Sequence, residues 1–217
     1  MRIKSIFKFL LLIAALVPFV LSAKKNQGLV YVGTEFDYEN IFSPYDGEIY
    51  GGGLLLGAEL RNLNLQFGIY YDELYGQNAE FFGLGDWDYN SWLISAGLNL
   101  RWNFNPNQPV MVWADAGFKA GTGLVNFKHS DEWGHLEFNH QPITTSTVYT
   151  DLGVDWNFDK HFRVETGVGL GFTGMYLDTG GDCCSDCCCG CEDYDRNADL
   201  ISYYASSRAF VNFVYAF

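Results

Sequence analysis

From residue 29 to the C-terminus the chain repeats short segments in which apolar and polar residues alternate, and this period of two constrains the fold most. Because successive side chains of a β-strand point to opposite faces, such segments predict strands with one apolar face and one mixed face. The clearest segment places Trp92, Ile94 and Trp102 on one face and Ser95 and Arg101 on the other. Eight such strands are predicted, at 29–39, 48–60, 63–72, 92–104, 110–120, 148–158, 162–172 and 205–217.

The connections between these predicted strands alternate in length. The short ones are turns at 61–62, 105–109 and 159–161, and the longer ones are loops at 40–46, 73–88, 126–143 and 178–199. Short turns at one end and long loops at the other are typical of even-stranded barrels in membranes. Since an open sheet edge in lipid would leave backbone groups unpaired, we expect closure. The sequence therefore predicts an all-β fold, a closed eight-stranded antiparallel up-and-down transmembrane β-barrel.

A soluble ligand-binding barrel of lipocalin type is the alternative, because its strands also alternate. In that fold, however, the apolar faces point inward. Here the apolar faces carry aromatic residues at the strand ends, among them Trp102, Phe104, Trp156 and Phe158. Aromatic rings in that position are typical of the girdles at a membrane–water interface, so the membrane barrel is favoured.

The first 23 residues have the pattern of a secretory signal peptide. Arg2, Lys4 and Lys8 precede an apolar run at 9–21, and Ser22-Ala23 supplies small residues for cleavage. An uncleaved anchor is the alternative, but the run is short for a helical span, which needs about 20 apolar residues. We therefore predict a signal peptide at 1–23 and a single barrel domain at 24–217.

The predicted mature chain is strongly acidic, with 10 basic and 26 acidic residues and a formal charge of −16. An acidic surface argues against nucleic acid or an anionic surface as a partner. It is compatible with cations, with basic ligands or with a well-solvated exterior.

The last predicted strand ends on an aromatic residue after alternating apolar positions, Val211, Phe213, Tyr215 and Phe217. This ending resembles the C-terminal signature of Gram-negative outer-membrane β-barrels, which their assembly machinery reads. As a pattern, residues 28–217 resemble the small eight-stranded barrels of the OmpX, OmpW and OmpA-barrel type. The resemblance implies a location in the cell outer membrane, with membrane lipid and the assembly machinery as partners. It also implies a structural, surface-interaction or small-solute role, and we expect a monomer.

If the apolar faces contact lipid, the opposite faces bring twelve charged side chains into the lumen. The acidic ones are Glu35, Asp37, Glu59, Asp72, Asp115, Asp151, Asp155 and Glu165, and the basic ones are Arg101, Lys119, Arg163 and Arg208. An eight-stranded lumen is just wide enough for side chains to fill, so the first expectation is an ion-pair network that stiffens the barrel. The second is a narrow porin-like path for cations or small solutes, because acids exceed bases by four in this set.

All the cysteines lie within one predicted loop, at Cys183, Cys184, Cys187, Cys188, Cys189 and Cys191. Their spacing is similar to the Cys-Cys, Cys-x-Cys and Cys-x-x-Cys runs of metallothioneins, which implies a soft metal ion at this loop. Disulfides within the loop are an alternative, because an oxidising cell exterior permits them. A loop tip without a role is the third reading. No other cofactor is expected.

The predicted loop at 126–143 carries His129, His135 and His140 among carboxylates, but it contains no tight pair of metal-ligand spacing. A solvated loop surface is therefore the first expectation. His129 and Ser130 are adjacent, so on a strand they point to opposite sides and cannot form a hydrolase site together. The leading prediction is a non-enzymatic barrel that displays acidic and Cys-rich loops, with the channel as the second.

Overall fold

The computed structural model describes residues 29–42, 47–80, 86–106, 108–131, 134–177 and 200–217. The described chain forms eight β-strands, which are β1 (Leu29–Ile41), β2 (Gly47–Leu60), β3 (Leu63–Glu80), β4 (Asp86–Asn103), β5 (Val110–Asp131), β6 (Gly134–Asn157), β7 (Phe162–Leu177) and β8 (Leu200–Ala216). The predicted signal peptide at 1–23 lies outside the described residues. Among the described residues, no helix is long and apolar enough to cross a membrane.

Every strand pairs antiparallel with its neighbour in sequence, and β1 pairs with β8 to close the sheet into a barrel. The closing seam runs from Tyr31 opposite Ala216 to Ile41 opposite Ser206. Next to the Tyr31–Ala216 pair, the Phe217 amide donates a hydrogen bond to the Val30 carbonyl at 2.9 Å. The predicted fold class, a closed eight-stranded antiparallel barrel, is confirmed, and no sheet edge is left open along this seam.

Three short connections gather at one end of the barrel, here called the turn end, as the sequence predicts. The first joins β2 to β3 through Arg61-Asn62, and Arg61 has a left-handed backbone with φ of 56°. Tight two-residue hairpins need such a conformation because its twist matches the twist of the strands. In the turn after β4, the Asn105 side chain accepts from the Val112 amide at 2.6 Å and donates to the Val110 carbonyl at 2.9 Å.

At the opposite end, here called the loop end, the strands are longer than predicted. The predicted loop at 126–143 is wrong, because β5 continues to Asp131 and β6 begins at Gly134. Likewise, much of the predicted loop at 73–88 belongs to β3 and β4. In these stretches the sequence has polar residues at both alternating positions, so the hydropathy alternation fades while the backbone ladder continues. A bulge near Asn126 accommodates the irregular stretch, with the His140 amide donating to the Asn126 side chain at 2.8 Å.

Burial alternates along the strands with the predicted phase. Trp102 exposes 51% of its surface on the outside of the barrel, whereas the neighbouring Arg101 exposes 1% inside. Leu98 and Leu152 are also exposed, and Asp155 is fully buried. The molecule is therefore apolar outside and polar inside, which contradicts the soluble ligand-binding barrel.

Candidate functional site

All twelve charged side chains predicted for the lumen lie inside the barrel, eleven of them buried and Lys119 nearly so. The interior also holds a ninth acid, Glu39, whose carboxylate accepts a hydrogen bond from Ser206 at 3.0 Å. Sequence reasoning missed Glu39 because it ends the predicted first strand. Its two-residue spacing from Asp37 is the signal that could have found it. In the described lumen nine acids therefore surround four bases.

Arg101 on β4 is the centre of one part of this network. Its Nη1 lies 2.9 Å from Glu165 and 3.6 Å from Asp155, and its Nε lies 3.6 Å from Asp115. The guanidinium carbon also sits 3.8 Å above the ring centroid of Trp113, a cation–π distance. The Trp113 indole in turn donates a hydrogen bond to Asp155. One cation thus compensates three buried carboxylates that come from three different strands.

Arg163 on β7 extends the same network towards the turn end. Its Nη1 contacts Glu59 and its Nε contacts Glu165, both at 2.8 Å. The guanidinium lies 4.6 Å from the centroid of Tyr31, whose hydroxyl donates to Asn64 at 2.7 Å. Glu165 is therefore shared between two arginines, which makes it the most fully compensated acid of the lumen.

Arg208 on β8 forms a second cluster nearer the middle of the barrel. Its Nη2 lies 2.9 Å from Glu35 and its Nη1 lies 3.1 Å from Asp151. Its guanidinium carbon lies 4.6 Å from the ring centroid of Tyr149 and 4.8 Å from that of Phe210. The charge is thus placed between carboxylates and aromatic rings.

Lys119 on β5 compensates two acids, one on β3 and one on β1. Its ammonium lies 2.8 Å from Asp72, which also accepts a hydrogen bond from Ser95 at 2.9 Å. Asp37 lies 3.8 Å from the ammonium of Lys119 and equally far from the Arg208 guanidinium. Each of the four cations therefore contacts at least two acids, and together they join β1 through β8 across the lumen.

Large aromatic side chains fill the space between the charges, and glycines on neighbouring strands make room for them. A Cβ at Gly153 would overlap the Trp113 ring, and one at Gly57 would overlap Tyr31. Close-packed interiors leave no space for such overlap. The sequence pattern alone did not pair these glycines with rings. The rings therefore occupy lumen space that a side chain on the neighbouring strand would otherwise take.

An apolar layer crosses the lumen on the loop side of the charges. It takes at least one side chain from each of the eight strands, and its members are Ile41, Ile49, Leu74, Tyr89, Leu93, Val125, Phe127, Ile143, Met175, Leu177 and Tyr204. All of them are at most 5% exposed. Sequence reasoning missed this layer because most of its members lie beyond the predicted strand ends. The layer separates the charged interior from the loop end of the barrel.

The outer surface carries two aromatic girdles with an aliphatic belt between them. The turn-end girdle consists of the exposed Trp102, Phe104, Trp156, Phe158, Phe162, Tyr215 and Phe217. The loop-end girdle includes the exposed Tyr38, Tyr50, Tyr71, Tyr75, Trp92 and Tyr203. Leucine, isoleucine and valine side chains between the two girdles are exposed as well. This distribution matches the cross-section of a bilayer.

The predicted assembly signal lies on the outside of β8, where Phe213, Tyr215 and Phe217 are exposed and Val211 is half-buried. A turn-end contact supports this strand end. The His161 ring stacks on Tyr215 at 5.7 Å, and its Nδ1 lies 2.9 Å from the Ala216 carbonyl.

That contact comes from the turn between β6 and β7, which Asp159 organises. Its carboxylate accepts hydrogen bonds from the backbone amides of His161, at 2.6 Å, and Phe162, at 2.7 Å. These bonds favour the charged form, so they lower the pKa of Asp159 below its ordinary value. The turn is therefore held by a charged cap at neutral pH.

The six cysteines predicted to bind metal, within 183–191, lie outside the described residues. Of the three histidines in 126–143, only the His140 side chain is described, and it is exposed. Within the described ranges, no group of three His, Cys, Asp or Glu side chains is arranged to hold a metal ion. The metal prediction therefore stays a prediction.

No protein-family model and no curated protein sequence matches the chain. Solved structures of small outer-membrane proteins do match. A major outer membrane protein from Thermus thermophilus is 12% identical with a TM-score of 0.49, covering 88% of this chain and 99% of that one. OprG from Pseudomonas aeruginosa is 10% identical with a TM-score of 0.48, covering 88% and 95%. Neisserial surface protein A is 12% identical with a TM-score of 0.41, covering 88% and 97%.

No functional residue is transferred from these proteins at such identities. The closed seam, the outward apolar belt and the paired charges inside are properties of this chain itself. On that geometry, the chain has the fold of the small eight-stranded β-barrels of outer membranes.

Proposed function

We propose that the protein is a non-enzymatic, integral β-barrel of the outer membrane, a closed rigid scaffold that holds its connecting loops at the cell surface. The observation that carries this proposal is the apolar layer, to which every strand contributes a buried side chain. A layer of this kind seals the lumen and ties all eight strands together at one level. The charged network below it adds cross-links over the same cylinder.

The membrane location is supported by the cost of the alternative. Rings and aliphatic side chains such as Leu54, Leu152 and Phe158 expose more than 60% of their surface. Burying apolar surface gains roughly 25 cal/mol per Å², so a belt of this size in water would drive aggregation. In a bilayer the same side chains contact acyl chains, and the closed ladder leaves no unpaired sheet edge.

A narrow cation channel is the second candidate, and the excess of five acids over bases in the described lumen favours it. A cation moving along that path would have to leave the carboxylates and cross the apolar layer. Moving a charge through apolar surroundings without partners is costly. The scaffold is therefore the better supported of the two functions.

The partners proposed for the scaffold are outer-membrane lipid and the assembly machinery, the latter contacting the exposed face of Phe213, Tyr215 and Phe217. We propose a monomer, because the barrel closes within one chain. A soft metal at the Cys-rich loop remains a prediction from the sequence. The scaffold role implies an external partner for the loops. The described residues do not indicate the chemical class of that partner.

Planar-bilayer recording of the purified barrel tests the proposal. We expect no discrete conductance steps from the natural chain, because the apolar layer blocks the lumen. The double variant Leu74→Ala and Ile143→Ala removes two fully buried members of the layer and is expected to produce conducting events. Leu54→Ala with Val148→Ala, on the lipid side, is the matched control and should stay silent. Cation-selective conductance steps from the natural chain would refute the scaffold proposal and support the channel.

The absence of catalysis is tested separately. Lipid A mass spectra of a strain that lacks the gene should be identical to those of the complemented strain. A lipid species that depends on the protein would contradict the non-enzymatic assignment.

A further inference from the structure

The outer surface at the loop end of β1, β2 and β3 carries two carboxylates set among four tyrosines, here called the Tyr–Glu patch. Its members are Tyr38, Glu48, Tyr50, Tyr71, Glu73 and Tyr75. All six point outward, as their alternation with buried inward neighbours requires. Two carboxylates set among the tyrosine rings of the loop-end girdle need a physical reason.

The tyrosines hold both carboxylates in fixed orientations. The two oxygens of Glu48 accept hydrogen bonds from Tyr38 at 3.0 Å and from Tyr50 at 2.5 Å. Those of Glu73 accept from Tyr71 at 2.9 Å and from Tyr75 at 2.5 Å. A carboxylate oxygen has more than one acceptor site, so each one can still accept a bond from a ligand.

The strand register joins the two halves into one surface. Glu48 lies directly opposite Tyr75, and Tyr50 lies directly opposite Glu73, on the paired strands β2 and β3. The ring centroid of Tyr50 is 5.3 Å from that of Tyr38 and 6.4 Å from that of Tyr75. On β2 and β3 each acid therefore lies opposite a ring, and the Tyr38 ring of β1 lies opposite Tyr50.

Charge and shape both point to a cationic partner. Within the described residues, neither Glu48 nor Glu73 has an ion pair with a Lys or Arg side chain. A polar cavity of about 640 Å³ adjoins the patch, with Glu48, Tyr75, Asn40 and Gln77 among its lining residues. Tyrosine rings attract cations through their faces, and carboxylates attract them through charge.

We propose that the Tyr–Glu patch binds the ammonium group of a lipid headgroup at the membrane surface. This inference rests on the proposed membrane location, because the aromatic girdle places the patch at headgroup level. An ammonium group donates three hydrogen bonds, which the carboxylate oxygens of Glu48 and Glu73 accept while the rings of Tyr50 and Tyr75 flank it. A divalent cation fits less well, because it needs about six oxygen ligands and the patch supplies two carboxylates.

Lipid retention tests the inference on the barrel purified from membranes. The barrel is inserted into phosphatidylcholine vesicles that contain equal minor shares of phosphatidylethanolamine and its N-acetylated form, which lacks the ammonium group. After extraction in mild detergent, the lipids retained by the barrel are counted by mass spectrometry. Exposed cation–π and ion-pair contacts predict an enrichment of phosphatidylethanolamine of about twofold to fivefold.

The variants assign this enrichment to the patch. Glu48→Gln with Glu73→Gln keeps the shape, removes both charges and is expected to abolish the enrichment. Asp88→Asn, at an exposed carboxylate on β4, and Tyr203→Phe, in the girdle on β8, are matched controls and should retain it. Equal retention of the two lipids, or enrichment that survives in the double variant, would overturn the inference. So would enrichment that disappears when divalent cations are chelated.

The outcome is separable from the membrane location itself. Heat-modifiable gel mobility and protease protection in the same vesicles report whether the barrel has folded and inserted. A barrel that does not insert contradicts the proposed function. A barrel that inserts without selecting the ammonium lipid contradicts only the inference about the patch.

Discussion

Replacing Arg101 with methionine tests whether the lumen network stabilises the barrel. Arg101 is 1% exposed and is the only cation within 4 Å of Asp155 and of Asp115 in the described lumen. Glu165 would keep Arg163 at 2.8 Å. The substitution therefore leaves two buried carboxylates without a cation and removes the contact with Trp113. Breaking a buried ion pair from one side costs about 3–5 kcal/mol, and we expect Arg101→Met to lie in this range.

Urea unfolding of the barrel in vesicles measures this difference. Trp113 lies in the network itself, so tryptophan fluorescence reports when the network unfolds. Gel mobility provides an independent signal of unfolding. Adding Asp155→Asn to Arg101→Met should recover part of the stability, because one of the two uncompensated charges is then gone. Lys160→Met, in an exposed turn, is the control and is expected to stay within about 0.5 kcal/mol of the natural chain. A change below about 1 kcal/mol for Arg101→Met would refute the stabilising role of the network.

Two further substitutions probe the packing and the turn end. Gly153→Ala should destabilise the barrel by about 1–3 kcal/mol, because the added Cβ would overlap the Trp113 ring and the Thr166 carbonyl oxygen. Gly174→Ala, whose added Cβ would lie 3.3 Å from the Tyr203 ring on the lipid side, is its control in the same unfolding assay, and equal losses would contradict the ring–glycine packing. Asp159→Ala removes a cap whose pKa is lowered on folding, so the stability lost relative to the natural chain should be largest at neutral pH. That loss should shrink as the pH falls through the folded pKa of Asp159, and unfolding measured in both chains between neutral and acid pH would show a constant difference if the cap acts without its charge.

The location of the strands could be predicted well where one face is uniformly apolar. The segment around Trp92 to Trp102 and the C-terminal segment around Phe213 have the predicted phase, because lipid contact imposes a strict period of two. Beyond the girdles this constraint ends. There the strands around His140 continue through sequence that has polar residues at both alternating positions, and the pattern no longer distinguishes a ladder from a loop.

The charged residues that face the lumen could be predicted from the sequence, but their contacts with each other could not. The phase of each strand identifies Glu35, Asp151 and Arg208 as inward-facing, because inside and outside alternate along every strand. Their contact depends on residues up to 173 positions apart in the chain. The apolar layer was not predicted for a similar reason. Ile41, Leu74 and Leu177 look like ordinary apolar residues at strand ends until the sheet closes and brings them to one level.

By itself the sequence therefore determined the number of strands, their antiparallel up-and-down order and which side chains face lipid. These properties are local, since they follow from the two-residue repeat of a strand and from the medium on either side of it. The tertiary structure alone decided which acid pairs with which base, where the apolar layer crosses the lumen and how the Glu48 and Glu73 halves of the Tyr–Glu patch come together. Those properties depend on strand register and barrel closure, which place residues distant in the chain within a few ångströms of each other.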